Sequence, residues 1–167
     1  MKISDDPNEK QKLFDSYYGK GDFLTINKFE RDIGYGLPVA YKSIVSEYNG
    51  AFVVNKNAFR FYSQFVEREV VFGVGLFLPY GSIDGVTETM ELKRRYPPEG
   101  FNKGLVVFSA LGNGDALCFD YRECLNDNPP VVVWHHEGMS EESGVSLVAD
   151  SFEGFLQSLY EENDDDD

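Results

Sequence analysis

The sequence contains only two cysteines, Cys118 and Cys124, two adjacent histidines, His135 and His136, and one tryptophan, Trp134. Two thiols at this spacing form neither a disulfide framework nor a C-x-x-C pair, and they point to a reducing compartment, the cytoplasm. Cys118 sits in a strand-like run and is expected to be buried; Cys124 is expected to be more exposed. Two histidines with no third in the chain are too few for a histidine-built zinc site, and H-E-x-x-H and H-x-x-E-H are both absent. Neighbours on a strand also point to opposite faces, so one histidine should pack or hydrogen-bond while the other is exposed. G-x-S-x-G is missing, and neither Gly73-Val74-Gly75 nor Gly112-Asn113-Gly114 opens a helix as a phosphate loop does. No catalytic residue, metal or cofactor is therefore expected.

Long apolar runs are lacking too. The longest, such as Val131-Val132-Val133-Trp134, are strand-sized and fall far short of the ~18 residues of a membrane helix. The start, Met1-Lys2-Ile3-Ser4-Asp5-Asp6, has no apolar leader core, so classical export is not expected. Positive charge is scarce: 15 Lys and Arg against 29 Asp and Glu give a formal net charge of −14. Six of those acids fall in the last seven residues, and the remaining 23 still leave the body at −8. Such a surface repels nucleic-acid backbones and anionic membranes and attracts a basic partner. Lys93-Arg94-Arg95-Tyr96 is the one basic cluster, and it reads as the cationic end of a helix rather than a nucleic-acid site.

What is abundant is aromatic: 14 Phe and 10 Tyr in 167 residues. That load needs a large core or a contact surface. The length suits one domain, expected over residues 1–160, with an acidic, disordered tail at 161–167.

Periodicity predicts a short first helix carrying Leu13, Phe14, Tyr17 and Tyr18 and closed by Gly19 and Gly21. A second helix follows Thr25, with Ile26, Phe29 and Ile33 inward and Gly34 as its stop. In a third, Pro38 opens the first turn, Leu37, Tyr41, Ile44, Val45 and Tyr48 form the apolar stripe, and Asn49-Gly50 ends it. Ala51 to Val54 and Ala58 to Tyr62 read as a hairpin, with a further strand at Val70 to Phe72. Ser82 is expected to cap a fourth helix through Ile83, Val86, Met90 and Tyr96. Leu105–Leu111, Ala116–Tyr121 and Val131–His135 read as an antiparallel meander, turned first by Gly112-Asn113-Gly114-Asp115. Asp150 and Glu153 form a cap pattern for a last helix presenting Phe152, Phe155, Leu156, Leu159 and Tyr160. The fold class is α+β: a central, largely antiparallel sheet flanked by N-terminal helices, a middle helix and a C-terminal helix.

Several of these landmarks occur together in one known pattern. Leu37-Pro38-x-x-Tyr41 with Tyr48-Asn49-Gly50, then Gly112-Asn113-Gly114-Asp115, then Val132-Val133-Trp134-His135-His136-Glu137, then Ala149-Asp150-Ser151-Phe152 with Phe155-Leu156, resembles the SUKH superfamily over residues 37–160. The chain departs from the pattern at Gly50-Ala51, where a glycine pair is usual, and between Asn55 and Pro79. Of the matched residues, Pro38, Gly50 and Gly112 are read as setting backbone geometry, and Tyr41, Trp134 and Phe152 as core.

The resemblance implies an immunity protein that binds a cognate polymorphic toxin, a basic nuclease domain, and occludes its active site. It carries over no catalytic residue. A non-catalytic regulatory scaffold, for instance in cell-wall synthesis, is the alternative it leaves open. An enzyme using His136 with Glu137 or Cys124 is a third reading, and would need a pocket gathering those groups. Candidate toxin contacts are the loop-proximal polar groups Glu67, Glu69, Asp115, His136, Glu137, Glu141 and Glu142.

Overall fold

The computed structural model describes residues 13–124, 126–138 and 144–162. Its elements run β1 (Phe14–Ser16), α1 (Phe23–Ile33), α2 (Val39–Glu47), β2 (Ala51–Val53), β3 (Ala58–Ser63), β4 (Arg68–Gly73), α3 (Met90–Arg95), β5 (Leu105–Ala110), β6 (Ala116–Asp120), β7 (Val131–Trp134), β8 (Val145–Ala149) and α4 (Phe152–Ser158). The class is the expected α+β, with N-terminal helices, a central antiparallel sheet and a C-terminal helix.

The central sheet has the order β5-β6-β7-β8, antiparallel throughout. Its strands are buried on both faces over β5, β6 and β7, which is why they read as apolar runs rather than alternations. β1 pairs with β2, and β3 pairs with β4, as two separate hydrogen-bonded pairs. The β2 pair is stitched to the central sheet through Phe77, whose N–H donates to Ala51 O at 2.8 Å while Leu78 N–H donates to Phe108 O at 2.9 Å. At the other side β3 lies beside β8.

Several expectations are corrected here. Phe14 to Ser16 is a strand, not part of a helix, because Ala51 to Val53 offers it a ladder and Phe14 enters the core against Phe77 and Tyr48. Gly21 ends no helix: the chain passes the backbone of α2 so closely there that a Cβ would run into the Val45 carbonyl oxygen. Ala51–Val53 and Ala58–Ser63 do not form a hairpin with each other; each takes a different partner. The helix expected from Ser82 begins only at Met90, where Thr89 Oγ1 accepts the Leu92 N–H at 3.2 Å. The last helix is capped by Ser151, which accepts from Gly154 N–H, and not by Asp150. It ends at Ser158, and Tyr160 instead exchanges backbone hydrogen bonds with Ala58. β8 was not expected from the sequence at all.

α2 follows the sequence reading closely, while α1 begins at Phe23, ahead of the start expected after Thr25. Asp22 caps α1 by accepting the Leu24 N–H, and Gly34 closes it in the left-handed conformation. Ile26 and Phe29 from α1, and Tyr41 and Val45 from α2, are buried. Tyr41 is the hub of the core. Its ring lies 5.0 Å from Phe119, 5.6 Å from Phe152, 5.9 Å from Phe108 and 6.2 Å from Phe77, and its hydroxyl meets that of Tyr80 at 2.8 Å. Burial pushes both phenols above their ordinary values.

Cys118 is wholly buried in β6, and burial pushes its thiol upward; Cys124 is half-buried in the following loop. Native-state alkylation should therefore label one thiol, and unfolding should expose the second. Cys124→Ser is expected to abolish native labelling, as intact mass would show; persistent labelling would contradict the burial of Cys118.

Candidate functional site

The turn between β5 and β6 aims a carboxylate inward. Asn113 Oδ1 accepts the Asp115 N–H at 3.1 Å, and Leu111 N–H closes the turn on Asp115 O at 2.9 Å. Gly114 takes a φ of 92°, a conformation unfavourable for other residues, and brings the turn against the His136 ring. Gly112, read from the sequence as a geometric requirement, has no positive φ and, among the described residues, no close neighbour where a side chain would stand. Gly50, at the end of α2, does take a positive φ, of 66°.

Asp115, one of the candidate toxin contacts, is buried. Both histidines converge on it. His135 Nδ1 lies 3.0 Å from Oδ2, His136 Nδ1 lies 2.6 Å from Oδ1, and the His136 backbone N–H donates to Oδ1 at 3.1 Å. The alternation that would send the two rings apart does not apply, because β7 ends at Trp134 and the chain turns, with Gly138 N–H bonded to His135 O. One histidine is buried and the other exposed, as the sequence suggested.

Burial alone would raise the Asp115 carboxyl, but the hydrogen bonds from His135 and His136 outweigh it and hold it below its ordinary value. It is therefore an ionised, acceptor-only group, and both Nδ1 atoms must donate to it. In the neutral tautomer His135 Nε2 then accepts from Ser146 Oγ, 2.7 Å away, which itself accepts the Gln64 N–H at 2.8 Å.

The order Ser146, His135, Asp115 has the connectivity of a hydrolytic triad. Its setting is different. Ser146 is fully buried, and its oxygen already serves a backbone N–H from the far end of β3. The His135 ring is also stacked with Phe61 at 6.3 Å and Phe65 at 5.7 Å. This geometry ties the β3–β4 hairpin to β7 and β8.

Above the tie is a cleft of about 330 Å³ between the hairpin and the β6–β7 end, bordered by Phe65, Val66, Arg68, Asn113, His136 and Glu137. His136 Nε2 lies 3.7 Å from Glu137. Cys124 is not part of the cleft; its thiol meets Asn126. Phe65 and Val66 lie in the turn between β3 and β4, at the border of the cleft, with 39% and 43% of their surface exposed. The next residue, Glu67, is the only described non-glycine residue with positive φ, at 53°.

The structure thus brings Asp115, His136 and Glu137 to the cleft, while Glu67 is in the neighbouring hairpin turn and does not line it. Glu69 is on the opposite face of the hairpin, across from Tyr62 and 3.7 Å from Arg60. Glu141 and Glu142 lie outside the described residues. Sequence reasoning missed Phe65, Val66 and Ser146. A Phe-Val pair in a turn was the available signal for the first two; Ser146 gave none. Tyr41, Trp134 and Phe152 are buried, and Trp134 packs edge-on to Phe101 at 5.3 Å. Pro38 directly precedes α2. Among the described residues, no helix is long and apolar enough to cross a membrane, and no group of three or more His, Cys, Asp or Glu is placed to hold a metal ion.

A family model described as the SMI1 / KNR4 family (SUKH-1) matches residues 23–158. A protein of Bacillus subtilis (strain 168), described as SPbeta prophage-derived uncharacterized protein YokK, is 24% identical over 169 residues, covering 92% of this chain and 85% of its own.

Proposed function

The chain belongs to the SMI1/KNR4 (SUKH-1) family, and from that premise we propose that it is an immunity protein that binds a cognate polymorphic toxin and covers its active site. The toxin is a basic nuclease domain, and the contact is the hairpin tip and cleft. Family membership supports a role in toxin neutralisation or regulation. The observation that carries the finer reading is the exposed Phe65-Val66 pair, flanked by Glu67 and by Glu137 across the cleft, on a chain of charge −14. Aromatic and aliphatic anchors provide affinity at such contacts, and carboxylates steer a basic partner into place.

Glu67 adds to this support. Holding a non-glycine residue in the left-handed region costs about 1 kcal/mol, which glycine would avoid. A carboxylate kept there against its own backbone preference is understandable if the carboxylate is used.

Two expected results test the reading. Co-expression with the toxin encoded beside this gene should rescue growth, and the two proteins should co-elute on a sizing column. Glu67→Gly should raise the unfolding free energy by up to ~1 kcal/mol while weakening protection, and Phe65→Ala should weaken it further. If the toxin kills equally with and without the chain and no complex forms, the proposal fails. Capture of several weaker partners from cells lacking the toxin gene would favour the regulatory scaffold instead.

A further inference from the structure

The basic cluster of the sequence is left unused by that reading, and two of its residues, Lys93 and Arg94, line a separate cavity. α3 contributes Lys93 and Arg94 to the lining of a cavity of about 200 Å³ between α1, α3 and the start of β5. Lys103, from the loop before β5, lines it too. The walls are carbon: Phe29, Ile33, Met90, Phe101 and Val107. None of its lining residues belongs to the cleft under the hairpin.

We propose that this cavity binds a small hydrophobic carboxylate, with its tail among Ile33, Met90 and Phe101 and its carboxylate at Lys103 and Asn102. Two independent observations point to that class. The first is charge. In a chain of net charge −14, three cations gather around one apolar opening. Lys93 is bound to Glu88 at 3.1 Å and Arg94 donates to the Asp32 carbonyl at 2.6 Å, whereas exposed Lys103 has no ion pair among the described residues. Lys103 is thus the lining cation whose ammonium is left to meet an anion.

The second observation is Asn102. Its side-chain Nδ2 is shielded from solvent and has no hydrogen-bond partner among the described residues. Buried amide donors are nearly always satisfied, and Asn102 borders both this cavity and its neighbour beside Trp134 and His136, so its orphan marks a place for an acceptor there. A carboxylate oxygen supplies the acceptor, and its tail suits the walls. Size then limits the ligand. An apolar cavity of about 150 Å³ accepts benzene, so this one takes about one ring with a short side chain.

The test is a titration of the isotopically labelled full chain, followed by amide resonances, with phenylacetate, 2-phenylethanol and 2-phenylethylamine. Phenylacetate should give saturable shifts at Ile33, Met90, Val107 and the Asn102 side-chain amide. The alcohol should bind about ten-fold more weakly, and the amine not at all. Lys103→Gln should bring phenylacetate down to the level of the alcohol and leave the alcohol unchanged. Ile33→Phe, which fills the cavity, should abolish both; should that variant fail to fold, the Lys103→Gln comparison decides alone. Equal binding of acid and amine, shifts mapping elsewhere, or no saturable shift with phenylacetate would each overturn the proposal. None of these outcomes depends on whether a toxin is neutralised.

Discussion

Replacing Asp115 by alanine should destabilise the protein by about 3–5 kcal/mol, as expected when one member of a buried, charged hydrogen-bond network is removed. The substitution strands the His135 Nδ1 donor and the His136 backbone N–H in the interior and unfastens the hairpin from the central sheet. Urea unfolding followed by the single tryptophan, buried Trp134, measures the loss directly. Asp115→Asn should cost less, about 1–2 kcal/mol. Its amide oxygen can still accept both donors from His136, and His135 can meet the amide N–H by changing tautomer, since Ser146 can rotate to accept the proton from Nε2. A loss below about 1 kcal/mol for the alanine variant would show that the network contributes little.

The same group sets a pH dependence. The folded carboxyl titrates below its ordinary value of about 3.9. Its contribution is therefore present above that ordinary value and disappears as pH falls through the folded one. Stability of the native protein should fall over that acid window, and Asp115→Ala should flatten this part of the curve. A variant with an unchanged acid limb would assign the acid sensitivity to other carboxylates.

Tyr41→Ala is expected to be comparably severe, about 3–5 kcal/mol, because it empties the centre of the aromatic core. Four rings from four different segments lose their shared neighbour: Phe77, Phe108, Phe119 and Phe152. Tyr41→Phe separates packing from hydrogen bonding. It keeps the rings in contact and removes only the hydroxyl that meets Tyr80 at 2.8 Å, so it should cost about 1 kcal/mol. At alkaline pH the sign is opposite to that of Asp115. Both phenols are pushed above their ordinary value of about 10, so the stability they contribute is intact below that value and is lost as pH rises beyond it. Tyr41→Phe should lessen the alkaline loss. A Tyr41→Ala variant within about 1 kcal/mol of the native protein would refute the hub role.

The two tests probe different joints of one molecule. Tyr41 couples α2 to the central sheet and α4, while Asp115 couples that sheet to the β3–β4 hairpin. The hairpin is the part offered to a partner in the proposed function. Loss of protection in an Asp115 variant would thus report a misplaced contact surface even where the protein stays folded.

Sequence alone determined the elements whose evidence is local. The stripe Tyr41, Val45, Tyr48 and its Pro38 and Gly50 boundaries specify α2, because helical hydrogen bonds join residues close in the chain. The apolar runs and glycine-rich turn likewise specify the β5-β6-β7 meander. The family landmarks were legible for the same reason. Only the tertiary structure decided which strands pair, since a strand's partner is not written in its own residues: Phe14–Ser16 reads as half a helix until Ala51–Val53 is beside it. It also decided the fate of Asp115 and Ser146. In sequence they are a turn acid and an undistinguished serine. In the fold they are the two ends of a buried chain through His135, brought together from 31 residues apart along the numbering by strands that had first to find each other.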